Sequence, residues 1–148
     1  DLAEGVVRAA RSLAKKDGAA LTVASVWPLA NAITVGMSAE VAASSAVISQ
    51  TAMEQHKKGR AEAEERLQSL TQRFAPGAEA LILDGDPADA IAGHASKTHT
   101  DLIVTGSHQR GFWDTMLQGS AARELVKEAP CAVFLVTKKF AEKLKAGE

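Results

Sequence analysis

The stretch "EALILDGDPADAIAGHASKTHTDLIVTGS", Glu79 to Ser107, decides the fold. Its first part, "EALILDG", is a short apolar run ending on glycine, which reads as a strand. "DPADAIAGHASKTH" then opens as a helix. Asp86 is placed to cap the first free amides, Pro87 takes the first helical position, and Asp89 sits in the first turn against the positive end of the dipole. "DLIVTGS" is a second apolar strand. A strand, a helix and a strand in so short a span make the βαβ unit of a parallel sheet.

The same alternation extends outward. Leu2, Val6, Ala9 or Ala10, and Leu13 fall on one helical face, closed by Lys15, Lys16 and Gly18. "ALTVASVW" (Ala20 to Trp27) is β-branched and apolar at nearly every position, as expected of a parallel strand buried on both faces. "PLANAITVGMS" (Pro28 to Ser38) is irregular but apolar and reads as a packing segment. Glu40 to Phe74 reads as one long helix or two joined ones. Ala63, Leu67, Leu70 and Phe74 form its stripe, Glu62 and Arg66 can pair one turn apart, and Gly59 is a weak point where a bend is expected. Downstream, "GSAARELVKEA" reads as a helix with Ala122, Leu125, Val126 and Ala129 on one face. "CAVFLVT" (Cys131 to Thr137) is a last strand, and "KKFAEKLKAGE" is a charged tail, solvated or forming a short helix. The order α-β-α-β-α-β-α-β predicts a three-layer α/β/α open parallel sheet. Doubly wound domains usually open on a strand. This chain opens on a helix, so the expectation is either a four-stranded sheet or a first strand lying upstream of Asp1.

Composition narrows the function classes. The chain has 148 residues, 46% of them hydrophobic and 24% charged, which fits one ordinary globular domain. A formal net charge of -1 gives no long-range attraction to nucleic acid or to an anionic membrane. Aromatic residues are 4% and tyrosine is absent, so stacking on bases has little support. The single cysteine, Cys131, excludes an intrachain disulfide and fits a reducing, cytoplasmic compartment. No apolar run approaches the ~20 residues of a membrane span.

The chemistry points to "TGSHQRGFWDTMLQGSA", Thr105 to Ala121, at the carboxyl end of a parallel strand, where open α/β sheets bind ligands. Gly106 bares the backbone. Gly119 and Ser120 open a helix whose first amides are free to accept an anion, with the Ser120 hydroxyl beside them. The loop is neither GxGxxG nor GxxxxGK[ST], and Gly-Ser before a helix also serves as a plain cap. His94 and His99 are five apart and do not share a helical face, His108 stands in the loop, and no cysteine cluster joins them, so no metal site is predicted. Asp86 and Asp89 are accounted for by capping, whereas Asp84 is unexplained. No nucleophile–base pair is evident. Phe112 and Trp113 read as packing or as a lid.

Taken together and in order, "GDPADAI", "DLIVTGSHQRG" and "LQGSAARELVKEAPCAVFLV" resemble the universal stress protein family. The resemblance runs from "DLAEGVVRAARSLAKKDGAALTVASV" to Val136, giving a family-like domain over 1–137 and a charged tail over 138–148. It implies a Rossmann-like, adenine nucleotide alpha hydrolase-like fold with strand order 3-2-1-4-5. The central first strand, ending in a nucleotide-binding Asp, would lie just upstream of "DLAEG". It also implies a homodimer through the last strand, Cys131 to Val136. Family members that bind ATP resemble G-x2-G-x9-G-[ST]. Gly106, Gly119 and Ser120 match that pattern, but Gln109 stands at the second glycine, and loss of that glycine goes with members that do not bind ATP. Two expectations follow. In one, ATP or another adenine nucleotide sits on Thr105, Gly106, Ser107, Gln109, Gly119, Ser120 and Ala121, with Val26 near the base and Mg present only with the nucleotide. In the other, Gln109 disables the pocket and the protein acts as a nucleotide-free dimeric stress or interaction protein, with Ile33, Val35 and Met37 as a patch for a protein partner. Either way the expected role is binding in a stress response, with at most a weak ATPase activity and no catalytic residue assigned.

Overall fold

A computed structural model of the chain describes residues 2–27, 39–107 and 120–147, with the backbone alone for residues 39–49, 51, 120 and 121. The elements are α1 (Leu2–Asp17), β1 (Thr22–Trp27), α2 (Ala39–Phe74), β2 (Glu79–Asp84), α3 (Pro87–Lys97), β3 (Leu102–Gly106), α4 (Ser120–Glu128), β4 (Ala132–Val136) and α5 (Lys138–Ala146). The alternation read from the sequence is present throughout.

Local chemistry sets most boundaries. Asp86 caps α3 as read: its Oδ1 accepts from the amides of Ala88 at 3.1 Å and Asp89 at 3.3 Å. Gly18 follows α1 at φ +64°, the left-handed conformation that glycine adopts without a Cβ penalty. α2 is one continuous helix from Ala39 to Phe74, so the bend expected at Gly59 is not seen. The glycine serves packing instead, because a Cβ there would lie 2.9 Å from Cη2 of Trp27.

The strands form two parallel ladders rather than one continuous sheet. β1 pairs with β2 from Thr22↔Glu79 to Trp27↔Asp84, and β3 pairs with β4 from Leu102↔Ala132 to Gly106↔Val136. These are the two flanking pairs of the order 3-2-1-4-5, and no described strand occupies the position between them. The side-chain burial follows. β1 alternates between buried and open positions, and β4 exposes Phe134 and Leu135. The expectation that these strands are buried on both faces is therefore corrected: a two-stranded ladder leaves each strand an open edge and partly open faces.

Helices hold the ladders together. On one face α1 touches β3, β4, α2 and α5, and on the other α3 packs on α4, β1 and β2. Val7 of α1 joins Val23, Leu67 and Ala75 in one core cluster, while Leu2, Val6 and Ala9 of the same helix join Val104, Val136 and Ala141 in a second. α3 supplies Ala88, Ala92 and Ile91 to a third cluster, with Leu125 of α4 and Ile103 of β3. The α4 stripe is narrower than the sequence suggested: Leu125 is 2% exposed but Val126 is 51% exposed.

The charged C-terminal stretch is a helix seated on α1. Thr137 caps it by accepting from the Phe140 amide at 3.2 Å, and Lys145 reaches Glu4 at 3.2 Å. The seat is made by Gly5, where a Cβ would collide with Cβ of Ala141 and lie 2.9 Å from its Cα. Gly5→Ala sets two effects against each other: a gain of about 1 kcal/mol in helix propensity and a clash against backbone, with overpacking costing about 1–3 kcal/mol. The clash prevails because a main-chain atom cannot swing aside. Urea unfolding will show Gly5→Ala less stable than the wild type, and a stabilised variant would refute this seating of α5.

Candidate functional site

The carboxyl ends of the strands carry the site, and two groups of residues converge there. The first is the end of β3. Thr105 is half-buried opposite Leu135, and Gly106 is buried opposite Val136. A Cβ on Gly106 would lie 2.8 Å from Cδ2 of Leu2 and 3.4 Å from Cγ2 of Val6, so one side of this glycine is bare because α1 fills the space. Ser107 continues the ladder: its amide donates to Val136 O at 3.0 Å, which leaves its hydroxyl as the group to offer a ligand. Ser120 and Ala121 form the first residues of α4, where helical amides lack intrahelical acceptors. Val26, at 2% exposure, lies in the other ladder opposite Leu83. Gln109 and Gly119 lie outside the described residues, as do His108, Phe112, Trp113, and the patch of Ile33, Val35 and Met37. The structure thus brings Thr105, Gly106 and Ser107 together on β3 and puts Val26 across the break between the ladders.

The second group lies at the end of the β1–β2 ladder and was largely illegible in the sequence. Arg60 of α2 forks onto Asp84, with Nε 2.9 Å from Oδ1 and Nη2 3.0 Å from Oδ2. That pair accounts for the carboxylate left unexplained by capping. The Arg60 hydrogen bonds, and then its charge, hold the Asp84 carboxyl below its ordinary range, and the nearby His56 adds a smaller pull in the same direction. Gly85 follows at φ +126°, its amide donating to Trp27 O at 3.1 Å, and so turns the chain from β2 into the Asp86 cap. Trp27, the last residue of β1, sets its indole against His56.

Acidic groups gather between α3 and α4. The Glu128 carboxyl is pushed up by its hydrogen bond with Asp89 and by the charges of Asp89, Glu124 and Asp86. No group of three or more ligating side chains fit for a metal ion occurs among the described residues. His94 ends α3 and His99 stands outside it at φ +52°, so they do not converge. Cys131 is a free, half-buried thiol just ahead of β4. No helix among the described residues is long and apolar enough to cross a membrane.

This arrangement defines a Rossmann-like α/β protein with a ligand-facing strand edge. The universal stress protein family model matches residues 1–137, and the chain belongs to that family. A universal stress protein of Thermus aquaticus is 38% identical over 71 residues, 48% of this chain and 52% of that protein. The chain spans about half or less of the curated relatives it matches, 52%, 33% and 45% of three of them. Among solved structures, a universal stress protein in complex with cAMP superposes with a TM-score of 0.61 at 22% identity, covering 92% of this chain and 89% of that one. A universal stress protein from Archaeoglobus fulgidus in complex with dAMP gives 0.55 at 23% identity, covering 91% and 87%. These likenesses establish the fold.

The Arg60–Asp84 pair yields a pH prediction. Asp84 has a depressed folded pKa, so the pair stabilises the fold above the unfolded carboxyl pKa, and that contribution is lost as pH falls through the folded value. Arg60→Met should raise the Asp84 pKa toward the ordinary carboxylate range in an NMR carboxyl titration. Its stability deficit should be present at neutral pH and vanish in acid. An unshifted Asp84 would contradict the pairing.

Proposed function

We propose that this chain binds an adenine nucleotide at the carboxyl end of β3 and serves a stress response by binding rather than by turnover. One observation carries the reading: β3 ends in Gly106-Ser107 and α4 begins at Ser120, so bare backbone and a helix N-terminus belong to one strand-to-helix connection. The match of Gly106, Gly119 and Ser120 to the family's ATP pattern supports it, as do the cAMP and dAMP complexes of structural relatives. Phosphates would lie on Thr105, Gly106, the Ser107 hydroxyl, Gly119, Ser120 and Ala121, and the base near Val26. Any Mg would enter with the nucleotide. The residues fit such a group in part, because Leu2 takes the space beside Gly106 and the Ser107 amide is already used. Those two facts, with Gln109, favour the second reading, a nucleotide-free interaction protein.

Thermal melting decides between them. At ten times Kd, binding adds about 1.4 kcal/mol, or about 3–6 °C for a chain of this size. ATP, cAMP and dAMP at millimolar concentration should each be tried, and one should raise Tm. Gln109→Gly should enlarge the rise. No rise with any of them would overturn nucleotide binding, and a rise found only in Gln109→Gly would establish the second reading.

We further propose a cytoplasmic homodimer joined along β4. Phe134 and Leu135 are 38% and 44% exposed there, and an apolar edge strand invites a second copy. Sedimentation should give a dimer that Leu135→Glu converts to monomer. A wild type that sediments as a monomer would refute it.

A further inference from the structure

Trp27 and His56 join the end of a strand to the middle of the longest helix. The indole Nε1 of Trp27 lies 3.0 Å from Nε2 and 3.1 Å from Nδ1 of His56, with the ring centroids 5.5 Å apart and the planes tilted by 58°. Both side chains are half-buried. The seat is shaped for the indole: a Cβ at Gly59 would lie 2.9 Å from Cη2 and 3.1 Å from Cζ2. One turn beyond His56, Arg60 holds Asp84, which is the residue opposite Trp27 in the ladder. Two side chains of α2 therefore grip the same last rung of β1 and β2.

The two grips answer differently to protons. An imidazole accepts a hydrogen bond only through an unprotonated nitrogen. The neutral ring has one and the imidazolium has none. A guanidinium keeps its proton throughout the working range of proteins, and its bidentate hold on a carboxylate is charge-assisted. Histidine is the side chain type whose charge ordinarily changes between about pH 5 and 8.

We propose that the Trp27–His56 contact is a proton-operated latch: neutral His56 holds the middle of α2 to the carboxyl end of β1, and protonation of His56 lets the indole go while Arg60 keeps its grip on Asp84. Among the described residues, the charged groups bearing on His56 are Asp84 from β2 and Arg60 from its own helix. Asp84 favours the imidazolium and Arg60 opposes it. An imidazolium beside Asp84 also has a carboxylate to turn to, which draws it from the indole. Opening would loosen α2 where it covers the ligand edge, whether or not a nucleotide binds there.

The test uses the full chain with its tryptophans labelled with nitrogen-15, the Trp27 indole resonance being assigned as the one missing in Trp27→Phe. On titration from about pH 8 to pH 5, the Trp27 indole shift should follow the Cε1–H shift of His56 with one midpoint. Indole N–H exchange is then compared at each pH with His56→Gln, which keeps an acceptor and does not titrate. Relative to that variant, wild-type exchange should rise about five- to tenfold on acidification, the value of one net hydrogen bond. An indole shift that stays flat while His56 titrates would overturn the latch, as would the same pH dependence in His56→Gln. Should His56→Gln fail to fold, the wild-type co-titration decides alone.

Discussion

Everything in this fold depends on two helices straddling two ladders that share no hydrogen bond. A continuous sheet is held across its width by its own backbone. Here β1 bonds to β2 and β3 bonds to β4, and the link between the pairs is made of side chains. α1 makes it on one face, with Val7 in the β1 cluster and Leu2, Val6 and Ala9 in the β3–β4 cluster. α3 makes it on the other, touching β1 and β2 and packing with Ile103 of β3. The side chains that do this are mostly alanine and valine, which bring helix and strand backbones close but bury little area each. Small residues thus set the spacing while the cores on either side supply the burial.

That constraint explains why glycine recurs at contacts rather than at turns. Gly5 admits Ala141 of α5, Gly59 admits the Trp27 indole, and Gly106 admits Leu2. In each case a side chain from one element occupies the volume a Cβ would fill. Gly106 therefore has two sides. One faces α1, where its bareness serves packing, and the other belongs to the strand edge on which the family's phosphate pattern falls. A glycine kept for packing and one kept for a ligand look alike in a sequence, and here one residue can serve both.

The same distinction separates what was legible in the sequence from what was not. The α3 cap was readable because Asp86, Pro87 and Asp89 act on amides within one turn. The stripe of Leu67, Leu70 and Phe74 was readable because its period is the helix period. Asp84 was not readable, because its partner Arg60 is distant in sequence and reaches it only after α2 folds back over the ladder. The uninterrupted path of α2 through Gly59 depended in the same way on an indole arriving from β1. Strand burial was misjudged because apolar composition reports what a strand can bury, whereas the number of neighbours decides what it does bury. The family was legible from the order of its motifs, and the nucleotide expectation rested on one loop, part of which lies outside the described residues.

The central claim is that α1 and α3 make one cooperative unit of two ladders not bonded to each other. Residue-resolved hydrogen exchange of the intact chain in low denaturant tests it most directly. The account predicts that the slowest amides of β1, β2, β3 and β4 exchange through a shared opening, with the same free energy and denaturant slope as those of α1. Loss of protection in one ladder while the other and α1 stay protected would contradict it.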